Sequence, residues 1–435
     1  MKNIPWLTVS NALRLACLAA LATLGGNHMS MAQTQPEARA MWVVRYDLTS
    51  PEAVRHVIAT AKKYNFNTLI VQVRGRGDAY YLNGLEPRSE SLASQPETFD
   101  PLQMCIDLGH AEGMQIHAWL NTFYLWGGAQ KPKSPMHVVN SHPEWVAADR
   151  DGKVYFTAGE NREGAYMDPA NPEARKFIHD VFVDVATRYN VDGIHFDYVR
   201  YPNKEVGFND GDLERFKALI DPKITPEQKS ALAAMPQRDA YTLMFPAQWA
   251  QFRRDCVTDV VRSVYRSVKK VKPNVAVSAA LIPWGTLTKF EDSDAYNSTF
   301  QDWFGWMREG ILDIAVPMTY HTDPGQWASW IGPAVKQRGR THIWGGIGDW
   351  LLDKQGVETM IKMGRTLGAQ GVSLFAYNSF VKDTKGEPES EKGDYLIAGV
   401  WKDAVSVPDW RKEPPAPPVA SANVPKPSDI PQDRW

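Results

Sequence analysis

The fold is decided by one stretch of sequence, Val191-Asp192-Gly193-Ile194-His195-Phe196-Asp197-Tyr198-Val199-Arg200-Tyr201-Pro202. It follows a long amphipathic segment and contains a short apolar core that ends in a carboxylate. Side chains alternate between the two faces of a β-strand, so His195 and Asp197 share one face. The opposite face carries Ile194, Phe196 and Tyr198. This pattern predicts a buried parallel strand that ends in a functional loop.

Asp197 is the first candidate for a catalytic group. In a (β/α)8 barrel the active site lies where the strands give way to βα loops, so Asp197 would stand at the barrel mouth. Aromatic and cationic residues follow it instead of turn formers, which favours catalysis. An aspartate at a strand end also serves as a helix N-cap or as the partner of a nearby arginine, here Arg200, and these alternatives stay open.

The pattern of strand, loop and helix recurs along the chain. Helix start signals such as Ser50-Pro51 and Asp100-Pro101 separate the apolar runs. Alternating units predict an α/β protein with a parallel sheet, and eight of them predict closure into a single (β/α)8 TIM-type barrel. An open doubly wound sheet is the alternative, but the first strand lacks a Gly-rich phosphate fingerprint. The eight strands are predicted at 39–46, 66–73, 114–121, 193–196, 274–281, 312–320, 341–347 and 371–377.

Three regions are predicted along the chain. A positive start, an apolar run and a small-x-small site predict a signal peptide over 1–32, and hence a secreted or periplasmic protein. The apolar run is short, so no integral membrane span is expected after signal cleavage, and an uncleaved membrane anchor is the alternative. The barrel is expected over 33–411, with long βα insertions at 122–168 and 203–246 that form a binding surface. The proline-rich segment 412–435 predicts a disordered tail that contacts envelope proteins.

Composition excludes several classes of partner. The formal net charge is −2 at pH 7, which argues against a nucleic-acid partner. Cys105 and Cys256 lie far apart in helical patterns and are expected to be buried free thiols. The sequence shows no Cys/His metal spacing, and neither a metal nor a cofactor is expected. The 16 tryptophans fit either sugar-binding platforms or core positions.

Polar and aromatic side chains at the predicted strand ends supply the candidate site. Two carboxylates that flank a scissile bond are the usual equipment for glycoside hydrolysis. Asp197 is predicted to be the nucleophile or base, and Asp302 the acid. The side chains predicted to bind a polysaccharide substrate are Arg74, Asp78, Trp119, Asn121, His195, Arg200, Trp284, Tyr320 and Asp349.

Several of these assignments have competing explanations. Asp302 begins a predicted helix, where the macrodipole alone favours aspartate. Arg74 has Asp78 as a possible ion-pair partner. His195 is favoured as a hydrogen-bonded spacer beneath Asp197 over a general base. The other candidates for a second carboxylate are Asp349, Asp168, Asp78 and Glu160.

The order of the motifs resembles the glycosyl-hydrolase-like family 10 group of bacterial envelope proteins. The resemblance covers roughly 38–405, and its motifs are specific only when taken together. It implies a (β/α)8 barrel that acts on glycans, with peptidoglycan strands as the candidate substrate. The motifs are Gln72-Val-Arg-Gly-Arg-Gly-Asp-Ala-Tyr80, His117-Ala-Trp-Leu-Asn121, His142-Pro-Glu-Trp145, Asp168-Pro-Ala-Asn-Pro-Glu173, Val191-Asp-Gly-Ile-His-Phe-Asp197 and Pro317-Met-Thr-Tyr320.

The resemblance also implies roles for individual residues. Asp197 matches the family's strand-four aspartate, and Asp302 its acidic residue before the sixth strand. Many relatives have a second aspartate where this chain has Tyr198. Two hypotheses follow: a glycoside hydrolase acting on an envelope polysaccharide, or a noncatalytic glycan-binding barrel. The rim residues that match are Arg74, Asp78, Asn121 and Tyr320.

Overall fold

The computed structural model describes residues 35–159, 162–381 and 391–417. The predicted signal peptide therefore lies outside the described residues, as does the tail beyond 417. The strands are β1 (Ala38–Val43), β2 (Thr68–Arg74), β3 (Gln115–Asn121), β4 (Tyr124–Trp126), β5 (Ala165–Tyr166), β6 (Gly193–Asp197), β7 (Ala276–Leu281), β8 (Ile314–Pro317), β9 (His342–Gly348) and β10 (Gly371–Phe375).

Eight of these strands close into a parallel barrel in the order β1-β10-β9-β8-β7-β6-β3-β2. The predicted (β/α)8 barrel is thus confirmed, and the open doubly wound sheet is wrong. All eight predicted strands are present, with ends shifted by a few residues. The two remaining strands, β4 and β5, pair antiparallel in a separate small sheet within the long loop after β3.

Helices cover the outside of the barrel. The predicted helix starts at Pro51 and Pro101 are confirmed. The side chains of Ser50 and Asp100 accept hydrogen bonds from backbone N–H groups of the first turn. The α-helices are α1 (Pro51–Lys63), α2 (Pro101–Ala111), α3 (Val138–Ser141), α4 (Pro172–Arg188), α5 (Asp210–Ile220), α6 (Pro226–Ala233), α7 (Ala240–Met244), α8 (Pro246–Val271), α9 (Asp294–Asn297), α10 (Trp303–Glu309), α11 (Pro324–Gln337), α12 (Lys354–Leu367), α13 (Tyr377–Val381) and α14 (Glu391–Ala398). Short 3-10 helices occupy Arg45–Leu48, Glu90–Leu92, Pro143–Trp145, Asp221–Lys223, Phe290–Asp292 and Asp349–Leu351.

The core has two layers, one between barrel and helices and one inside the barrel. Ile194 and Phe196 belong to the outer layer, where Phe196 stacks on Phe182 of α4 at 4.4 Å between ring centroids. His195 and Asp197 point into the barrel, as the alternation predicts. The apolar residues inside the barrel are Ala38, Ala40, Trp42, Ile70, Trp119, Ala276, Ala280, Ile314, Val316, Trp344 and Ala376.

The pairing of β3 with β6 sets the geometry of the barrel mouth. In this register Asn121 lies opposite Asp197 and Trp119 lies opposite His195. The register depends on Gly193, because a Cβ there would lie 2.4 Å from Nδ1 of His117. Only a residue without a side chain fits that close approach.

The segment after β6 and the C-terminal segment both pack on the barrel. Helices α5 to α7 and the start of α8 form a small lobe with its own apolar cluster, which includes Phe208, Phe216 and Trp249. Most of the predicted tail, 412–435, lies outside the described residues, but its first residues contact the barrel. The carbonyl oxygen of Pro415 accepts a hydrogen bond from Arg338, and that of Lys412 lies 3.0 Å from Nε2 of His342. Folded contacts therefore continue past 411.

Two further sequence predictions concern cysteines and membrane spans. Cys105 and Cys256 are both buried and free, as predicted. No helix in the described part of the chain combines the length and apolar content needed to cross a membrane.

Candidate active site

Asp197 is a buried carboxylate at the end of β6, with 7% of its surface exposed. Its Oδ1 accepts a hydrogen bond from the backbone N–H of Tyr198 at 2.7 Å, and its Oδ2 accepts one from Nε1 of Trp119 at 3.1 Å. Tyr198 has a left-handed φ of +48°, which turns the chain at the strand end. Burial raises the pKa of Asp197 to about 6, although the Tyr198 N–H and the charge of Arg200 act in the opposite direction.

Asn121 orients the groups around this carboxylate. Its Oδ1 accepts a second hydrogen bond from Nε1 of Trp119, at 2.9 Å, and another from Nε2 of Gln72 at 3.3 Å. Its Nδ2 donates to the carbonyl oxygen of Gly75 at 2.8 Å. The indole N–H is thus shared between amide and carboxylate. The structure brings the predicted residues Trp119 and Asn121 together with Asp197.

His195 lies beneath the site and does not reach the cleft. It is fully buried, with Nε2 3.2 Å from Nε1 of Trp42 and Nδ1 2.8 Å from Oγ of Ser278. Indole only donates, so Nε2 is an acceptor and Nδ1 carries the hydrogen. Burial lowers the pKa of His195 well below its usual value. The prediction that His195 binds substrate does not fit this position, and the spacer role does.

Arg74 is fully buried and paired with Glu86. Its Nε and Nη2 each donate to a carboxylate oxygen of Glu86 at 2.7 Å, in the bidentate geometry typical of strong pairs. Its Nη1 donates to backbone carbonyls of the loop after β3, at Asn121, Thr122 and Tyr124. Arg74 therefore lies in the protein interior, and its ion-pair partner is Glu86 instead of Asp78.

Asp78 and Asp349 are also engaged within the protein. Oδ1 of Asp78 accepts from the backbone N–H of Arg76 at 3.0 Å in a tight turn. Asp349 is fully buried, with Oδ1 2.7 Å from Oγ of Ser379 and Oδ2 3.2 Å from Nζ of Lys392. The predicted contact of Asp349 with substrate does not fit a carboxylate that is buried in an ion pair.

Asp302 lies in the helix layer. Its side chain caps α10 by accepting a hydrogen bond from the N–H of Gly305 at 2.9 Å. Burial raises the pKa of Asp302, and the charged groups that act on it most are Arg308, Arg254 and Glu291. The helix-cap alternative therefore describes the position of Asp302.

Glu163 is a carboxylate whose charge acts on Asp197 and which the sequence interpretation did not name. It precedes β5 in the long loop after β3, and its side chain is 54% exposed. Its carboxylate accepts a hydrogen bond from the hydroxyl of Tyr166, and Oε2 lies 3.8 Å from Nη2 of Arg200. Its charge is one of the causes that raise the pKa of Asp197. The loop itself was predicted as binding surface, but Glu160 was chosen from it, and Glu160 lies outside the described residues.

Arg200 lies close to Glu163, and its charge also acts on Asp197. It is 7% exposed, its guanidinium lies 4.9 Å from the ring centroid of Tyr198, and its positive charge lowers the pKa of Asp197. The Tyr198 ring also packs against Tyr124, with centroids 4.9 Å apart. The resemblance predicts a second aspartate after Asp197. This chain has Tyr198 there instead, and its ring packs between Tyr124 and the guanidinium of Arg200.

Tyr320 lies on the β8 side of the mouth among other aromatic rings. Its ring centroid is 6.3 Å from that of Trp42, 5.6 Å from Phe375 and 5.0 Å from Trp350. Burial raises the pKa of Tyr320 well above its usual value, and the charge of Asp197 adds to the effect. Tyr320 is thus a protonated donor near Asp197. Trp284, on the loop after β7, is 48% exposed and takes no part in these ring contacts.

A cavity of about 210 Å³ adjoins Glu163. It lies between the loop after β3 and the start of the segment after β6, so both predicted insertions contribute to its wall. Within the described residues, no cluster of three or more metal-ligating side chains occurs. The polar and aromatic lining residues are Tyr155, Arg162, Glu163, Tyr166 and Asn203.

Asp168, another candidate for the second carboxylate, forms a buried pair with Asp212 of α5. Oδ1 of Asp168 accepts from the N–H of Ala170 at 2.9 Å, and Arg215 donates to Oδ1 of Asp212. Oδ2 of Asp212 is buried with no donor facing it among the described residues. Burial and the charge of Asp168 raise the pKa of Asp212 well above its usual value. Two adjacent buried carboxyl groups do not favour double ionisation, so we expect the pair to share one proton.

We expect Asp212→Asn to stabilise the protein at pH 8, because the amide donates to Asp168 without binding a proton. A carboxyl whose folded pKa is raised loses stability as pH rises above its unfolded value near 3.8. The difference in the free energy of unfolding between variant and wild type should therefore become smaller as the pH falls towards 4. Urea denaturation at several pH values measures this. A difference in the free energy of unfolding that does not change with pH would contradict a proton shared between Asp168 and Asp212.

Comparison with known proteins agrees with the barrel fold. The family model described as glycosyl hydrolase-like 10 matches residues 37–345. The chain is 26% identical to the glycosyl hydrolase YngK of Bacillus subtilis over 318 residues, which are 67% of this chain and 56% of that relative. It is 24% identical to the glycosyl hydrolase DigH of Escherichia coli K12 over 378 residues, covering 81% of this chain and 69% of the relative. The chain thus spans little more than half of the Bacillus protein.

A solved structure supports the fold. The PgaB (BpsB) glycoside hydrolase domain of Bordetella bronchiseptica aligns with a TM-score of 0.57 at 14% identity, over 86% of this chain and 100% of that domain. Identity at this level establishes only that the two share a barrel fold. The family match covers most of the chain and includes every strand-end residue of the mouth up to β8. The chain belongs to the glycosyl hydrolase-like 10 family.

Proposed function

We propose that this protein is a glycoside hydrolase that cleaves peptidoglycan strands of the bacterial envelope, with Asp197 and Glu163 as its catalytic carboxylates. The observation that carries the proposal is the buried Asp197 at the barrel mouth, with Glu163 as the carboxylate whose charge reaches it. Glycoside hydrolysis requires two such groups on either side of the scissile bond. Membership of the family and the barrel fold support the same reaction class.

Asp197 is assigned the role of nucleophile or base. A base works best when its pKa lies near the working pH, and Asp197, with a pKa of about 6, is mostly ionised at pH 7. The N–H groups of Tyr198 and Trp119 hold its two oxygens in one orientation. The charge of Arg200 favours the ionised form of Asp197, and Tyr320 stands near it as a hydrogen-bond donor to a hydroxyl group of the sugar.

Glu163 is assigned the role of the acid that protonates the leaving group. It lies on a loop above the strand ends and is half exposed, so a glycosidic oxygen in the cleft can approach it. The hydroxyl of Tyr166 fixes one side of its carboxyl group.

The secretion of the protein remains a prediction from the N-terminal sequence, and cell fractionation tests it.

We expect Glu163→Gln to lower kcat/KM on glycan roughly 10²- to 10⁴-fold, the usual contribution of a general acid. Aryl glycosides with a good leaving group need no protonation, so the variant should cleave them at close to the wild-type rate. Glu144→Gln is the matched control, because Glu144 is an exposed carboxylate earlier in the same loop that pairs with His142. Equal losses on both substrate types would contradict the acid role.

The substrate is tested by the release of soluble fragments from purified peptidoglycan, with and without its stem peptides. Release by the wild type that disappears in Asp197→Asn supports the proposal. The second candidate is a noncatalytic glycan-binding barrel, which is favoured by Tyr198 occupying the place of a second strand-end carboxylate. Sedimentation with the polymer without any release would establish that candidate instead.

A further inference from the structure

Trp350 is an exposed aromatic residue on the rim of the barrel mouth. It lies in the 3-10 helix Asp349–Leu351 directly after β9, with 41% of its surface exposed. Its ring contacts Tyr320 at 5.0 Å with an interplanar angle of 72°, and Phe375 at 5.7 Å with an angle of 74°. Both contacts are edge-type, and no described ring is stacked parallel on the indole.

The two residues that precede Trp350 make close contacts within the protein. The preceding residue, Asp349, is fixed in its buried ion pair with Lys392. Gly348 leaves room for the indole, since a Cβ there would lie 2.9 Å from Cζ3 of Trp350 and 3.0 Å from Cβ of Tyr320. The indole therefore presents an apolar face to solvent at the barrel mouth, next to Tyr320.

The position of Trp350 relates it to the proposed catalytic groups. In the order of the closed barrel, β9 lies four strands from β3, so the two are diametrically opposite. The loop after β3 carries Glu163 and the cavity beside it. Tyr320 stands between the two sides, because it contacts the Trp350 ring and lies within reach of the charge of Asp197.

We propose that Trp350 is the platform of a separate sugar-binding subsite, on which a pyranose ring of the glycan stacks at a distance from the scissile bond. This inference rests on the proposed function. The apolar face of a sugar ring fits an exposed indole, and the barrel diameter separates this platform from Glu163. The enzyme therefore binds a chain of several sugars across the mouth, and Trp350 acts on long substrates only.

Binding measurements without turnover test the subsite. In the Asp197→Asn background, calorimetry compares a disaccharide and an octasaccharide prepared from peptidoglycan glycan strands. We expect Trp350→Ala to raise the Kd for the octasaccharide about tenfold, which is the size of one aromatic contact. The Kd for the disaccharide should not change, and Trp350→Phe should recover most of the affinity.

The matched control is Leu219→Ala, which removes a similarly exposed apolar side chain, 45% exposed, from α5. It should leave both affinities unchanged. An unchanged octasaccharide affinity in Trp350→Ala, or an equal loss for both fragments, would overturn the separate subsite while leaving the proposed function intact. If the parent variant binds neither fragment, the proposed substrate fails, and the subsite fails with it.

Discussion

Replacing Asp197 with asparagine is expected to reduce glycan cleavage roughly 10²- to 10⁴-fold while stabilising the protein at neutral pH. The loss of activity follows from removing the base or nucleophile. The gain in stability follows from burial, which makes the ionised carboxylate unfavourable in the folded state. A strongly shifted pKa at a buried carboxylate in the barrel mouth is typical of a catalytic site.

The sign of the pH dependence follows from the direction of the shift. The folded pKa of Asp197 is raised from its usual 3.8 to about 6, so the wild type loses stability as pH rises through this range. A shift of this size corresponds to about 3 kcal/mol at pH 7. The asparagine does not titrate, but its amide faces the N–H of Trp119, which costs about 1 kcal/mol. The net gain at pH 7 is therefore about 2 kcal/mol.

Urea denaturation of both proteins between pH 4 and pH 8 measures this difference, and activity on peptidoglycan is measured in parallel. The wild-type kcat/KM should also fall below pH 6, as the base becomes protonated. A stability difference that stays constant with pH would show that Asp197 is not a buried group with a raised pKa. Full activity in a folded variant would remove Asp197 from the mechanism.

Replacing Arg74 with methionine is expected to destabilise the protein by about 3–5 kcal/mol, because it leaves the carboxylate of Glu86 buried without a partner. The side chains of both residues are fully buried. The loop carbonyls of Asn121 and Thr122 lose a donor at the same time. Since these precede the small sheet that leads to Glu163, activity should fall together with stability.

The double variant Arg74→Met/Glu86→Leu separates the structural role from substrate binding. It removes both charges, so we expect it to recover much of the lost free energy of unfolding. Urea denaturation of the single and double variants provides this comparison. A single variant with unchanged stability and a raised KM would instead support a substrate contact for Arg74.

The barrel could be predicted because its signals are local. Period-2 alternation, Pro at helix starts and turn residues each depend on a few neighbouring residues, and the closure follows from counting eight units. The same alternation placed Asp197 at the mouth, and proximity in sequence placed Arg200 beside it. Trp119 and Asn121 were predicted from the end of the neighbouring strand.

The partners of the charged side chains could not be predicted in this way. Arg74 was predicted at the rim, yet Glu86 from the following loop holds it in the interior. The sequence does not distinguish the carboxylates of Asp302 and Glu163. In the structure Asp302 caps a helix, whereas Glu163, on the loop that contains β4 and β5, acts on Asp197 through its charge.

By itself the sequence determined the α/β barrel, the faces of its strands and one carboxylate at the mouth. It could do so because the alternation of apolar and polar side chains that defines a strand depends on neighbouring residues only. Only the tertiary structure decided which arginine is buried in an ion pair, which distant carboxylate acts by its charge on Asp197, and which tryptophan beside Tyr320 stays exposed. These outcomes depend on long loops that bring distant donors and acceptors together, and burial then shifts their pKa values.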